Sequence, residues 1–306
     1  MIEFGVHGQK LLATRNSDKL PAEDIPMMDK AIKLYSEWIT KLNGVKADSI
    51  EDLVKKMVDL LNWYKDWLEL DLIFDSKQDF LYRQKGQLKL DNTVVEEFIP
   101  ILVKKCFDFE GVGSDLVIDS QSKVYSTLYF ESSILDAGVG GKVRIKTKDQ
   151  DFSISREVFI KTSYDQSFPA SATTYVQTNI GYVLAELKTN LDKTMFQEAA
   201  ATAHDVKQAV VGAKYYLLCE YLDMTPISSN TTDIDEVLIL RKAKRMGSGE
   251  RSKYNTYKGR MDGRATYIQK MKECPYSAEV FQRFINHILF MLHERKEGEI
   301  LLDGYF

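Results

Sequence analysis

Three cysteines in 306 residues, Cys106, Cys219 and Cys274, are odd in number and widely separated, so no disulfide framework is expected. No C-x-x-C pair begins a zinc cage, and the four histidines (His7, His204, His287, His293) have no metal-ligand spacing among themselves or with the cysteines. No run approaches the roughly 18 apolar residues of a membrane span. The opening Met-Ile-Glu-Phe-Gly-Val-His lacks the basic-then-apolar pattern of a leader peptide. These absences together favour a reducing setting, and a cytoplasmic location is expected. G-x-x-x-x-G-K-[ST], G-x-S-x-G and paired catalytic histidines are missing too, which speaks against an ATPase, a serine hydrolase or a histidine-metal nuclease. There is no internal repeat, low-complexity tract or clear interdomain linker.

What is present is ordinary globular material, 44% hydrophobic and 28% charged, in a chain long enough for a substantial core. The net charge of -4 conceals an uneven distribution. Between Arg241 and Lys272 eleven Lys or Arg face two acids, Glu250 and Asp262, which leaves +9 there and -13 elsewhere. Such a chain can attract a polyanion at one place without being adhesive everywhere.

The first ninety residues carry helical periodicity. Met28, Ile32, Tyr35, Ile39 and Leu42 form one apolar stripe, and Ile50, Leu53, Met57, Leu60, Tyr64 and Trp67 form a second that opens on the capping-box-like Ser49-Ile-Glu-Asp. The two helices are expected to pack together. A further helix, Val94 to Phe107, is capped by Asp91 or Asn92 and carries Pro100 as a kink. After Gly111 and Gly113 short β-branched and aromatic runs follow: Leu116 to Ile118, Val124 to Phe130, Val143 to Lys146, Phe152 to Ser155 and Val158 to Ile160, with a turn at Gly138 to Gly141. A strand from Tyr182 to about Lys188, a helix from about Thr194 to Val211 and a strand from Tyr215 to Leu222 fit a βαβ crossover. Val237 to Leu240 adds another strand, and a helix from Phe281 to about His293 closes the chain. The expected fold is α/β, a mixed central sheet flanked by helices. A helical region over 1–90 is expected to precede a core over 91–306, the two forming either separate units or one continuous domain.

Glu186-Leu187-Lys188 is the most informative triplet. On a strand, Glu186 and Lys188 share a face while Leu187 turns to the core. Asp75-Ser76-Lys77, Asp205-Val206-Lys207 and Glu294-Arg295-Lys296 have the same form, but only Glu186 ends an apolar strand that leads into a crossover helix. The passage from Ala185 to Ala199 resembles the second catalytic half of PD-(D/E)XK nucleases, and specifically of type II restriction endonucleases, including the group of two-subunit enzymes acting on asymmetric sites. The likeness covers about Lys148 to Lys207. It implies a restriction-endonuclease-like core, Mg²⁺-dependent hydrolysis of double-stranded DNA leaving a 5′-phosphate, and an upstream Asp that begins the preceding strand, often after Pro. Asp151 takes that place, with Gln150 where Pro is usual, and Asp149, Asp115 and Asp119 are competitors. The resemblance thus implies a metal held by Asp151, Glu186 and the Leu187 carbonyl, with Lys188 completing the catalytic set. Mg²⁺ prefers oxygen ligands and takes few from protein. Glu97 is a further metal candidate, although Glu96-Glu97 reads more simply as a solvated helix face; Gln197 and Glu198 either approach the site or serve as helix-start residues.

The basic segment supplies the expected DNA contacts: Arg241, Lys242, Lys244, Arg245, Arg251, Lys253, Asn255, Lys258, Arg260 and Arg264. Cations suit phosphates and guanine edges, Asn255 suits adenine, and Gly247, Gly249, Gly259 and Gly263 would let a loop approach a groove. Two cuts in a duplex imply a homodimer or a heterodimer with a related subunit, with no membrane involved. The competing readings are a PD-(D/E)XK nuclease of DNA repair or recombination and a non-catalytic DNA-binding protein of the same fold.

Overall fold

The computed structural model describes residues 4–113 and 115–292. His293 and the triplet Glu294-Arg295-Lys296 lie outside them. Five α-helices come first: α1 (Val6–Arg15), α2 (Ile25–Gly44), α3 (Ile50–Trp67), α4 (Asp79–Leu88) and α5 (Thr93–Glu110). Helix α3 starts where expected, because the Ser49 side chain accepts from Asp52 N at 3.1 Å and so satisfies one of the amides a helix start leaves unpaired. The stripes of α2 and α3 meet, and Trp38 stacks on Tyr64 with ring centroids 4.5 Å apart. Pro100 does sit inside α5, where it withdraws an amide from the carbonyl of Glu96. That helix ends at Gly111, whose φ of 69° is a left-handed conformation that glycine adopts without strain.

The sheet runs in the order β1-β2-β3-β4-β5 over β1 (Val117–Phe130), β2 (Val143–Ser163), β3 (Thr173–Leu191), β4 (Lys214–Leu222) and β5 (Glu236–Lys244). The first three are antiparallel and the last three parallel, with α6 (Lys193–Ala209) making the β3–β4 crossover. The mixed sheet is therefore the expected one. The separate short runs of the sequence are pieces of longer strands; β2 alone spans 21 residues. Gly140 closes the β1–β2 turn, where a Cβ would stand 2.4 Å from the Thr162 carbonyl oxygen.

Side-chain alternation divides the core between two faces. Phe152, Ile154, Val183, Ala185, Tyr216 and Leu218 pack under α2, α3, α5 and α10 (Ala278–Leu292), while Leu184, Tyr215, Leu217 and Cys219 pack against Phe196, Ala199 and Ala203 of α6. Glu186 and Lys188, in step with Leu184, fall on the α6 face; Leu187 leans into the larger core. Between β5 and α10 the segment folds as three short helices, α7 (Ser248–Lys253), α8 (Tyr257–Asp262) and α9 (Arg264–Glu273), rather than as a groove-seeking loop. Gly259 is there for packing, since a Cβ would meet the Lys253 carbonyl oxygen at 1.9 Å.

Candidate active site

Strands β2 and β3 bring Asp151 to the Glu186-Leu187-Lys188 turn of the pleat. Their pairing matches Phe152 with Ala185, and Asp151 extends one residue further so that its Oδ2 accepts from Leu187 N at 2.8 Å. Asp151 is inside β2, not at its start as expected, and Glu186 lies five residues before the end of β3 rather than at its terminus. Lys188 Nζ meets Glu186 Oε1 at 2.6 Å, and Tyr215 of β4 donates its hydroxyl to Glu186 Oε2 at 3.0 Å. Residues two apart on β3 are thus joined by an ion pair on one face, with a tyrosine from the neighbouring strand fixing the second carboxylate oxygen.

The electrostatics are those of crowded, partly dehydrated charge. Burial raises the Asp151 pKa above the usual carboxylate value and Glu186 adds to the rise, against the stabilising Leu187 amide and Lys188. For Lys188, burial works against the charge, but the bond to Glu186 and the fields of Glu186, Asp151 and Glu198 outweigh it, so the ammonium is held more firmly than in water. Burial and the Glu186 carboxylate push Tyr215 far above the ordinary phenol range, so it is a donor only.

Competing aspartates stand elsewhere. Asp115 pairs with Arg156 at 3.1 Å; Asp119 is exposed and its Oδ1 accepts from the adjacent Ser120 N; Asp149 is exposed. Glu96 and Glu97 are both buried, against the expectation of a solvated face. Glu97 turns away from the sheet to accept from Tyr35 OH at 2.5 Å and His7 N at 2.7 Å. It is Glu96 that faces the site: burial, then the Asp151 charge, raises its pKa, and Gln121 Nε2 of β1 contacts it at 3.4 Å. Sequence reasoning missed Glu96 and Tyr215. Pro100, one turn after Glu96, marks a special place in α5 but does not say which of two adjacent acids turns toward the site.

Among the described residues no three His, Cys, Asp or Glu side chains form a ready-made metal cage. The donor set still fits a hard divalent cation, which takes one or two carboxylates and keeps water and phosphate as its other ligands. The mutual repulsion of Asp151 with Glu186 and Glu96 is the imbalance such an ion relieves.

Residues 87–306 match the family model described as Bpu10I restriction endonuclease. The chain belongs to the Bpu10I restriction endonuclease family. It is accordingly a type II restriction enzyme, a site-specific deoxyribonuclease, and restriction endonucleases generally use Mg²⁺. No curated protein matches. A solved structure described as "native BbvCI A2B2 tetramer at low resolution" is similar, with a TM-score of 0.60 and 21% identity over 91% of this chain and 92% of that one, and so shares the fold.

The basic segment of this restriction enzyme is only partly exposed and unpaired. Arg241 is buried, donating to Glu69 Oε1 at 2.9 Å and the Cys274 carbonyl oxygen at 3.0 Å. Arg260 is fully buried, donating to the carbonyl oxygens of Phe74 and Ser76 at 2.7 and 2.8 Å and to Asp79 at 3.0 Å. Both were expected at the DNA surface; both instead tie the segment to the helical region, because a guanidinium's fixed fork can satisfy several carbonyls at once. Lys242, Arg245 and Arg264 pair with Glu279, Asp223 and Asp75. Lys244, Lys253, Asn255 and Lys258 are exposed, and Arg251 is half-buried. No helix among the described residues is long and apolar enough to cross a membrane.

Proposed function

We propose that this enzyme hydrolyses the phosphodiester at the strand pair β2–β3, with Asp151, Glu186 and the Leu187 carbonyl as the groups that would hold Mg²⁺, and Lys188 as the catalytic cation. The observation that carries this is the contact of Asp151 with the Leu187 amide, which sets its carboxylate beside the Glu186–Lys188 pair. When bound, Mg²⁺ would supply Lewis-acid neutralisation of the phosphate and a more acidic water. The chain's own parts divide the remaining work. Lys188, kept charged by its acidic neighbours, is suited to orient the attacking water and to balance charge growing on phosphate oxygens; it is not poised to accept a proton. Tyr215 holds Glu186 in one orientation. Glu96 is a third carboxylate available to a water ligand.

The cytoplasm is the proposed location. Two cuts are needed for a duplex, and the structural neighbour is described as an A2B2 tetramer, which supports assembly of this chain with a related subunit. Digestion of plasmid DNA by the assembled enzyme tests the reading: discrete fragments are expected with Mg²⁺ and none without it. Glu186→Gln and Lys188→Ala are expected to abolish cutting with folding retained. Cleavage by Glu186→Gln at the normal rate would remove the site assignment.

A further inference from the structure

Beyond the scissile site, a cleft of about 940 Å³ opens where the three parallel strands end, at Asn190 of β3, Tyr221 of β4 and Lys244 of β5. In open α/β sheets the crevice outside the carboxyl ends of parallel strands is the usual ligand position, because diverging connections leave a gap there. Lys85 of α4 and Arg251 of α7 stand among its walls. Asn190 is two residues beyond Lys188, about 7 Å along a strand, which corresponds to roughly two nucleotides of rise along DNA.

Charge distinguishes the floor from the rim. The floor acids Glu69 and Glu220 are matched by the fully buried Lys65 and Arg241, with Lys65 Nζ to Glu220 Oε1 at 3.0 Å and Arg241 to Glu69 at 2.9 Å, so they present little net field. Of the other acids that line it, Glu250 is taken by Lys270, Glu273 accepts from Gln269, and Asp91 stands 3.7 Å from Lys85. Among the described residues Lys244 and Arg251 make no ion pair, and the Arg251 Nε is buried with no hydrogen-bond acceptor. A buried guanidinium nitrogen without an acceptor loses its hydration with nothing in return, and a phosphate oxygen is the acceptor that guanidinium geometry matches best.

We infer that this cleft grips the phosphodiester backbone of one DNA strand beside the cut, through Arg251, Lys244 and Lys85. The inference rests on the nuclease reading of Asp151, Glu186 and Lys188, but its test reads binding, not hydrolysis. The native assembly is titrated onto a 30-base-pair duplex of plasmid sequence by fluorescence anisotropy, with Ca²⁺ replacing Mg²⁺, between 50 and 200 mM salt. Lys244→Ala/Arg251→Ala is expected to bind roughly tenfold more weakly, and its slope of log affinity against log salt to flatten by nearly 2, about 0.9 per lost contact. Lys33→Ala/Lys55→Ala, on exposed positions of α2 and α3, serves as the reference and should match the wild type. Should the double variant melt early, Lys85→Ala is read in the same way, for one contact. Wild-type affinity and slope in the cleft variants, beside an Asp151→Asn variant that binds but does not cut, would overturn the cleft and leave the catalytic site standing. Asp151→Asn cutting at the wild-type rate would sink the site assignment, and with it the cleft's place beside the cut.

Discussion

Tyr215 and Glu186, on neighbouring parallel strands, share a 3.0 Å hydrogen bond in which a buried phenol donates to the carboxylate oxygen that Lys188 leaves free. The bond holds Glu186 in one rotamer, so its removal acts on the orientation of a carboxylate rather than on its presence. Tyr215→Phe is expected to slow single-turnover cleavage by roughly tenfold to a hundredfold, the equivalent of the 1.5–3 kcal/mol of a hydrogen bond to a charged group. The Mg²⁺ concentration needed for half-maximal rate should rise in parallel. An unchanged Mg²⁺ dependence would show that the phenol only packs.

Asp151→Asn should make the metal-free protein more stable at neutral pH. The native carboxyl titrates above its unfolded value, mainly because it is buried, so keeping it ionised costs stability. That cost is absent below the unfolded pKa and grows as pH rises through the native one; the gain in Tm should therefore vanish in acid. Mg²⁺ should raise the wild-type Tm and leave the variant's nearly unmoved. Equal shifts in both would place the ion elsewhere.

Arg260→Ala should damage folding and not DNA affinity. Its guanidinium satisfies backbone carbonyls of Phe74, Ser76 and Tyr254, which lose their donor if it is removed. Loss on the order of 3–5 kcal/mol is expected in urea unfolding, as for other broken buried charge networks. Conditions that keep the variant folded should show wild-type binding to duplex DNA.

His7 supplies an acid-sensitive element. It lies between Tyr64 OH at 2.7 Å and Thr93 Oγ1 at 3.1 Å, and burial, with Lys65, lowers its pKa to about 3. The unfolded chain takes up a proton near pH 6.5 that the native one refuses, so stability falls as pH drops from 6.5 towards 3, by up to roughly 1.4 kcal/mol per unit. In His7→Gln that fall should be shallower by one proton when unfolding free energies are compared between pH 6 and 4. Parallel curves for the two proteins would contradict this.

Periodicity and pairing chemistry acting within a dozen residues were legible in the sequence alone. The amphipathic stripes of α2 and α3, the Ser49 cap, the βαβ crossover and the Glu186/Lys188 face all follow from rules of 3.6 and 2 residues. The resemblance around Ala185 to Ala199 added the family and the expectation of Asp151. Contacts between distant segments were decided only by the tertiary structure. Whether Arg241 and Arg260 met phosphate or carbonyl depended on Glu69, Phe74 and Ser76, almost two hundred residues away, and a cation looks the same in sequence beside either partner. Choosing between Glu96 and Glu97 likewise required the rotation of α5 against β2, a matter of about 100° that two adjacent acids cannot reveal. Strand order, finally, put Asp151 rather than Asp119 against Leu187, because β2 and not β1 lies beside β3.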